Sequence, residues 1–169
     1  MTLFKTDRLT LRVMVDEDAP FYLEMLNDPD FKRNIADRGL NTVEDALIDM
    51  RERVFPSYEA HGFGMFLVCQ EPDGKSIGMA GLVKRDFLDD VDVGYGFLPR
   101  GRGQGFAVEA VSACIDYAGR EQGISRLAAI TAPDNIASIQ VLEKLDFRYA
   151  GQLQFPDGGD ICSHYLLDL

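Results

Sequence analysis

The sequence predicts an α+β fold: a mixed, mostly antiparallel central sheet with helices on both of its faces. Three observations predict it. The runs "GMFLVCQ", "SIGMAGLV" and "VDVGYGFL" follow one another as strands with short connections, which makes antiparallel hairpins. Behind them, helical and strand-like stretches alternate, which makes a strand–helix–strand–helix unit. Ahead of them, apolar residues recur at helical intervals. At 169 residues the chain has enough length for one domain with a real core, taken as 1–169.

The elements follow in order. "LTLRV" from Leu9 alternates apolar and polar, a half-buried strand. Asp16 or Asp18 can cap a short helix carrying Phe21, Tyr22, Met25 and Leu26, which stops near "NDPD". Thr42 and Asp45 stand in capping-box spacing, and Val43, Ala46, Leu47, Met50 and Val54 follow on one helical face. Pro56 should end or kink that helix. After the three strands and the "EPDGK" turn comes a helix marked by Ala107, Val111, Cys114 and Ala118, with Gly123 as its stop. "RLAAIT" is a buried strand, Asn135 opens a helix with Ile136, Ile139, Leu142 and Leu145 inward, and "FRYAGQL" and "CSHYLLDL" close the sheet.

Composition removes several functions. The net charge of −11 argues against nucleic acid or an anionic membrane as partner, since both want a basic surface. The acid excess suits a cationic partner such as an amine, or simply keeps the chain soluble. No apolar run approaches the roughly 20 residues of a membrane helix, and "MTLFKTDRLTLR" lacks a signal peptide's apolar core. Cys69, Cys114 and Cys162 form no Cys-x-x-Cys pair and suggest buried thiols in a reducing compartment, hence a cytoplasmic protein. His61 and His164 are too few and too scattered for a metal site or a hydrolase triad, so no metal is expected.

The most informative stretch is "RGRGQGFAVEAV", Arg100 to Val111, where glycines run straight into a helix. The first N–H groups of a helix lack intrahelical acceptors and carry the positive end of its dipole. Gly103, Gln104, Gly105, Phe106 and Ala107 would therefore present a row of backbone donors to an anion, a phosphate above all. Arg100 and Arg102 add charge at the rim. No Gly-Lys-Ser/Thr follows, so this is not a P-loop, and the glycine spacing misses the dinucleotide fingerprint.

The stretch resembles the acyl-CoA pyrophosphate loop of the GCN5-related N-acetyltransferases, whose pattern is Arg/Gln-x-x-Gly-x-Gly/Ala between a strand and a helix. Arg102, Gly105 and Ala107 fill it, and so do Arg100, Gly103 and Gly105. Downstream, "NIASIQVLEKLDF" resembles the family's second signature. "TDRLTLR" and "GYGF" are similar to the branch that acetylates ribosomal-protein N-termini. Three residues depart from the pattern: Asp146 in place of Gly, Leu142 in place of the tyrosine that protonates the leaving thiolate, and Gly96 in place of a large aromatic.

The resemblance implies direct attack of a free amine on the thioester of acetyl-CoA, without a covalent enzyme intermediate or a metal. The loop from Arg102 to Ala107 would hold the pyrophosphate. The pantetheine arm would lie along the strand ending in Phe97 and Leu98, where a backbone N–H faces the thioester carbonyl. Asn135 would bind that arm from the other side, cap its helix, or do both. Ser138 would donate to the sulfur, or is an ordinary first-turn serine. Asp92 would be the base, acting through water, or else points to solvent. Tyr95 reads as core. The acceptor would be a peptide or protein α-amine, with a polyamine, a toxic amine or a non-catalytic CoA sensor as alternatives, in a monomer or homodimer.

Overall fold

The computed structural model describes residues 2–169. Its eight strands form one sheet in the order β1-β2-β3-β4-β5-β6-β8-β7. They are β1 (Thr2–Lys5), β2 (Leu9–Arg12), β3 (Met65–Gln70), β4 (Lys75–Val83), β5 (Val91–Phe97), β6 (Arg126–Thr131), β7 (Arg148–Gln154) and β8 (Ile161–Asp168). Every neighbouring pair is antiparallel except β5 with β6. A parallel pair needs a crossover, and α5 (Phe106–Arg120) supplies it.

Strand alternation sends Leu9, Leu11, Phe66, Ile77, Val93, Leu127 and Tyr165 to one face, where they pack with Phe106, Ala110, Val111, Cys114 and Ala118 of α5. The other face carries Leu67, Cys69 and Met79 against α1 (Ala19–Leu26), α2 (Pro29–Asn34) and α3 (Val43–Asp49). Helices thus cover both faces, as the sequence predicts. The three cysteines are free and buried.

Local chemistry explains the helix ends. Thr42 accepts from Asp45 N at 3.0 Å while Asp45 accepts from Thr42 N at 2.9 Å, so aspartate completes the capping box. Asp18 precedes α1 without capping it: its carboxylate turns back to Val15 N and takes both Arg12 nitrogens at 2.7 Å. Pro56 does not end its helix. A π-helical stretch, Met50–Val54, absorbs the irregularity, and α4 (Phe55–His61) continues to a left-handed Gly62. The sequence reading has no β1 and no α2. Asp28 caps α2 through Asp30 N and Phe31 N, with Pro29 in the first turn, so a helix begins where "NDPD" was expected only to stop one.

Helix α6 (Ile136–Lys144) ends in a Schellman motif: Phe147 N donates to Leu142 O and Asp146 N to Glu143 O, while Leu142 and Phe147 share the core. Asp146 is the only non-glycine residue with positive φ among those described, at 64°. The left-handed conformation costs an L-residue roughly 1–2 kcal/mol, less for aspartate, and glycine's greater unfolded-state entropy offsets part of any gain. We predict that Asp146→Gly stabilises the protein by about 0.5–1 kcal/mol, raising Tm by about 1–4 °C. An unchanged or lower Tm would show that the aspartate side chain contributes something glycine cannot.

Candidate active site

Strands β5 and β6 pair only at Val91 with Leu127 and Asp92 with Ala128, and beyond Asp92 they part. β6 remains paired along its length with β8, and β5 with β4. A wedge therefore opens in the middle of the sheet, widening toward the loop that follows β5.

Register identifies which β5 groups face the wedge. Leu98 N donates to Ile77 O at 2.9 Å, so this pair belongs to the hydrogen-bonded positions of the β4–β5 ladder. In an antiparallel ladder such positions alternate. The N–H and C=O groups of Asp92, Gly94 and Gly96 therefore point to β4, and those of Tyr95 and Phe97 point into the wedge. Phe97 fits the expected role of a backbone donor to a thioester carbonyl. Leu98 does not, because its N–H is already spent on Ile77; its side chain is buried on the α1–α2 face.

At the wide end lies the glycine loop. Gly103 and Gly105 take φ of 71° and 80°, and a Cβ on Gly103 would meet nothing within 4 Å. These two left-handed glycines favour the frame Arg100-x-x-Gly103-x-Gly105, since Ala107 is already helical. Among the described residues, no acceptor takes the backbone N–H groups from Gly103 to Val108. Six consecutive free donors at the positive end of a 15-residue helix fit a pyrophosphate.

The arginines do something else. Arg102 Nη2 binds Asp28, Nη1 binds Asp30 at 2.6 Å, and Nε donates to Phe97 O at 2.7 Å. Arg100 pairs with Glu24 and donates Nε to Ser76 O at 2.9 Å. Both charges expected at the rim of the anion site are thus neutralised by carboxylates of the α1–α2 segment. They tie the loop to that segment instead of reaching into it. A cation the sequence reading missed, Arg8, sits 3.5 Å from where a Gly105 Cβ would be, stacks over Phe106 and pairs with Glu109.

The deep end of the wedge holds the remaining candidates. Asp92 occupies the last paired position and is only 1% exposed, so it does not point to solvent. Its Oδ2 accepts from Arg85 Nε at 2.7 Å, and its Oδ1 has no partner among the described residues. Burial pushes its pKa up to about 6 even though Arg85, and more weakly the nearby Ile130 N–H, which lies outside good hydrogen-bond geometry, pull the other way. Across the wedge, Asn135 Oδ1 caps α6 through Ser138 N at 3.2 Å, leaving its amide nitrogen as a donor. Ser138 Oγ lies 2.7 Å from the hydroxyl of Tyr95. Leu142, where the resemblance puts a tyrosine, is buried in the core.

Gly96 does not widen the pocket. A Cβ there would meet Met25 Cε at 2.9 Å, with Phe31 and Ile35 close behind, so side chains of the α1–α2 segment fill the space of the missing aromatic. Beside Asp92's partner, Arg85, Phe87 and Pro156 line an open cleft, and the Phe87 and Phe155 rings meet at 5.2 Å between centroids. Among the described residues no cluster of His, Cys, Asp and Glu could hold a metal, and no helix is long and apolar enough to cross a membrane.

Known proteins share the fold. A family model described as an acetyltransferase (GNAT) domain matches residues 8–148. An uncharacterized N-acetyltransferase, p20, of Bacillus licheniformis is 31% identical over 157 residues, covering 91% of this chain and 86% of its own. The RimL ribosomal-protein alpha-N-acetyltransferase in complex with coenzyme A superposes with a TM-score of 0.85 at 15% identity, covering 100% of this chain and 98% of its own. A microcin self-immunity acetyltransferase, MccE, in complex with acetyl-CoA and AMP gives 0.82 at 17%, covering 97% and 94%. A strand wedge, a helix-opening loop of free N–H groups and a match across most of the chain lead to one conclusion: this protein belongs to the GNAT family of acetyl-CoA-dependent N-acetyltransferases.

Proposed function

We propose that the protein acetylates a peptide or protein α-amine. The N–H groups from Gly103 to Val108 receive the pyrophosphate of acetyl-CoA, and the pantetheine arm enters the wedge along Tyr95 and Phe97, with Asn135 Nδ2 opposite. The Phe97 N–H faces the developing oxyanion, a donor fixed in advance by the sheet. Ser138 lies beside the sulfur. The thiolate needs little more than a hydrogen bond, since a thiol's pKa is about 8.5.

The observation that carries the choice of amine is Asp92. Its place at the vertex of the wedge, its unpartnered oxygen and its pKa of about 6 suit a base that works through water, but a mild one. At pH 7, neutralising a lysine side chain costs about 4.6 kcal/mol, against about 1–1.4 for an α-amine. A mild base serves the second and not the first. The α1–α2 segment that fills the space beside Gly96 then forms the wall met by the peptide.

Mass spectrometry of a peptide carrying both a free α-amine and a lysine tests this directly. We expect acetyl on the α-amine; acetyl mainly on the lysine contradicts the proposal, and transfer only to spermidine or another small amine replaces it.

The loop gives a second test. By calorimetry, Arg100→Ala should change CoA affinity by less than about threefold, because its charge is already paired. Gly103→Val, whose side chain would enter open space in the free protein, should cost at least about a hundredfold while the fold persists. Unchanged affinity in folded Gly103→Val removes the anion site.

The pH profile gives a third. Both the amine and Asp92 must lose a proton, so log kcat/KM should rise with a slope of about 2 below pH 6 and about 1 from there to pH 8. Asp92→Asn should lower the rate and leave a slope of about 1 throughout. An unaltered profile would mean that Asp92 is only structural.

A further inference from the structure

Leu142 leaves α6 without the hydroxyl that the resemblance puts there, yet a tyrosine hydroxyl arrives at the same helix from the opposite wall. Tyr95 Oη lies 2.7 Å from Ser138 Oγ and 3.1 Å from the Ser138 backbone O. Tyr95 sits on the wedge-facing part of β5, three residues from Asp92, and Ser138 lies one turn ahead of Leu142 on α6. We propose that Tyr95 is a positioning residue for the leaving sulfur, its hydroxyl holding Ser138 Oγ as acceptor so that the serine's own proton is left for the sulfur of coenzyme A. This rests on the reading of Ser138 as the group beside that sulfur.

Each hydroxyl carries one proton and two lone pairs. Tyr95 has two acceptors in reach, so the pair has two settings. In one, Tyr95 donates to the helix carbonyl and Ser138 donates to Tyr95, and both protons are used with no ligand present. In the other, the tyrosine proton swings to Ser138 Oγ, and the serine proton turns to the sulfur. A first-turn serine left alone samples several rotamers and competes for backbone acceptors in its own helix. The tyrosine selects one rotamer and strengthens the serine as a donor, because hydrogen bonds in a chain polarise one another.

The step balances without any proton leaving these hydroxyls. The amine nitrogen forms its bond to the acetyl carbon, and the C–S bond breaks with its electron pair leaving on sulfur. The proton shed by nitrogen passes through water to Asp92 and on to solvent, from which the thiolate is later protonated. Burial raises the Tyr95 pKa to about 12, which keeps its proton in place as a donor over the working pH range.

Two readouts test the proposal. With acetyl-CoA and an alanine-terminated peptide, or spermidine if the peptide is not acetylated, Tyr95→Phe and Ser138→Ala should each lower kcat about tenfold. KM for acetyl-CoA should change little, and the double variant should be no slower than Ser138→Ala alone. The second readout needs no acceptor. The pKa of the bound CoA thiol, from the absorbance difference between the CoA and desulfo-CoA complexes, should rise by about one pH unit in each single variant and no further in the double.

If Ser138→Ala leaves the thiol pKa unmoved, Ser138 is not beside the sulfur and the underlying reading fails. If Ser138→Ala moves it and Tyr95→Phe does not, that reading stands and the role given to Tyr95 is overturned. Additive losses in the double variant overturn it too. Should Tyr95→Phe fail to fold, a difluorotyrosine at position 95 keeps the shape and donates more strongly; at pH 6 it should be at least as fast as the unmodified enzyme, and slower turnover contradicts the proposal.

Discussion

Everything at the site depends on one break in hydrogen bonding: β5 and β6 pair at two positions and then separate. Backbone groups in the middle of a sheet normally satisfy one another, and buried ones left alone are costly. Here the N–H groups of Tyr95 and Phe97 and the Tyr95 carbonyl do not reach β6, which stays paired with β8 while β5 stays paired with β4; the Phe97 carbonyl accepts from Arg102 Nε instead. The outer strands thus impose a vacancy that an amide-bearing chain such as pantetheine can fill. The wedge also sets the layout of the site, with free N–H donors at its wide end, a hydroxyl pair linking β5 to α6 and a buried carboxylate at its vertex.

The charges around the loop follow a consistent division. The free N–H groups at the positive end of α5 are left open to a ligand, while the arginine side chains are occupied with fastening. Arg102 joins three parts: the last carbonyl of β5, the glycine loop and the N-terminus of α2 through Asp28. Asp28 in turn caps α2 and so orients Phe31, which helps fill the space beside Gly96. The donor loop and the α1–α2 segment are therefore one mechanically connected unit, and Arg8 with Glu109 braces the loop from the opposite side.

Much of this was legible in the sequence, and the reason differs by residue. The sheet, α5 and α6 follow from apolar periodicity, and the row of free N–H groups from three glycines set against a helix start. The cap at Asn135 is equally local. What escaped was what depends on distant partners. Arg8 meets Glu109 across 101 residues of chain, and Arg102 meets Asp28 across 74, so nothing near either residue distinguishes a clamp from a phosphate ligand. Tyr95 packs against the core as its apolar strand implies, but its hydroxyl partner lies 43 residues on. Asp92 could not be placed inside or outside until the strand's two faces were known. Helix α2 is a different case, since its Asp-Pro start is a local capping signal that the sequence carries.

The most direct test of the wedge is to watch its amides by NMR while CoA is added. The account predicts that the backbone N–H signals of Gly103 to Val108, and those of Tyr95 and Phe97, shift and become protected from hydrogen exchange. The Leu98 amide, already bonded to Ile77, should keep its protection, and those around Asp146 and along β7 should stay where they are. Binding that leaves the Gly103–Val108 and Phe97 amides unprotected, or that protects the β7 edge instead, would contradict it.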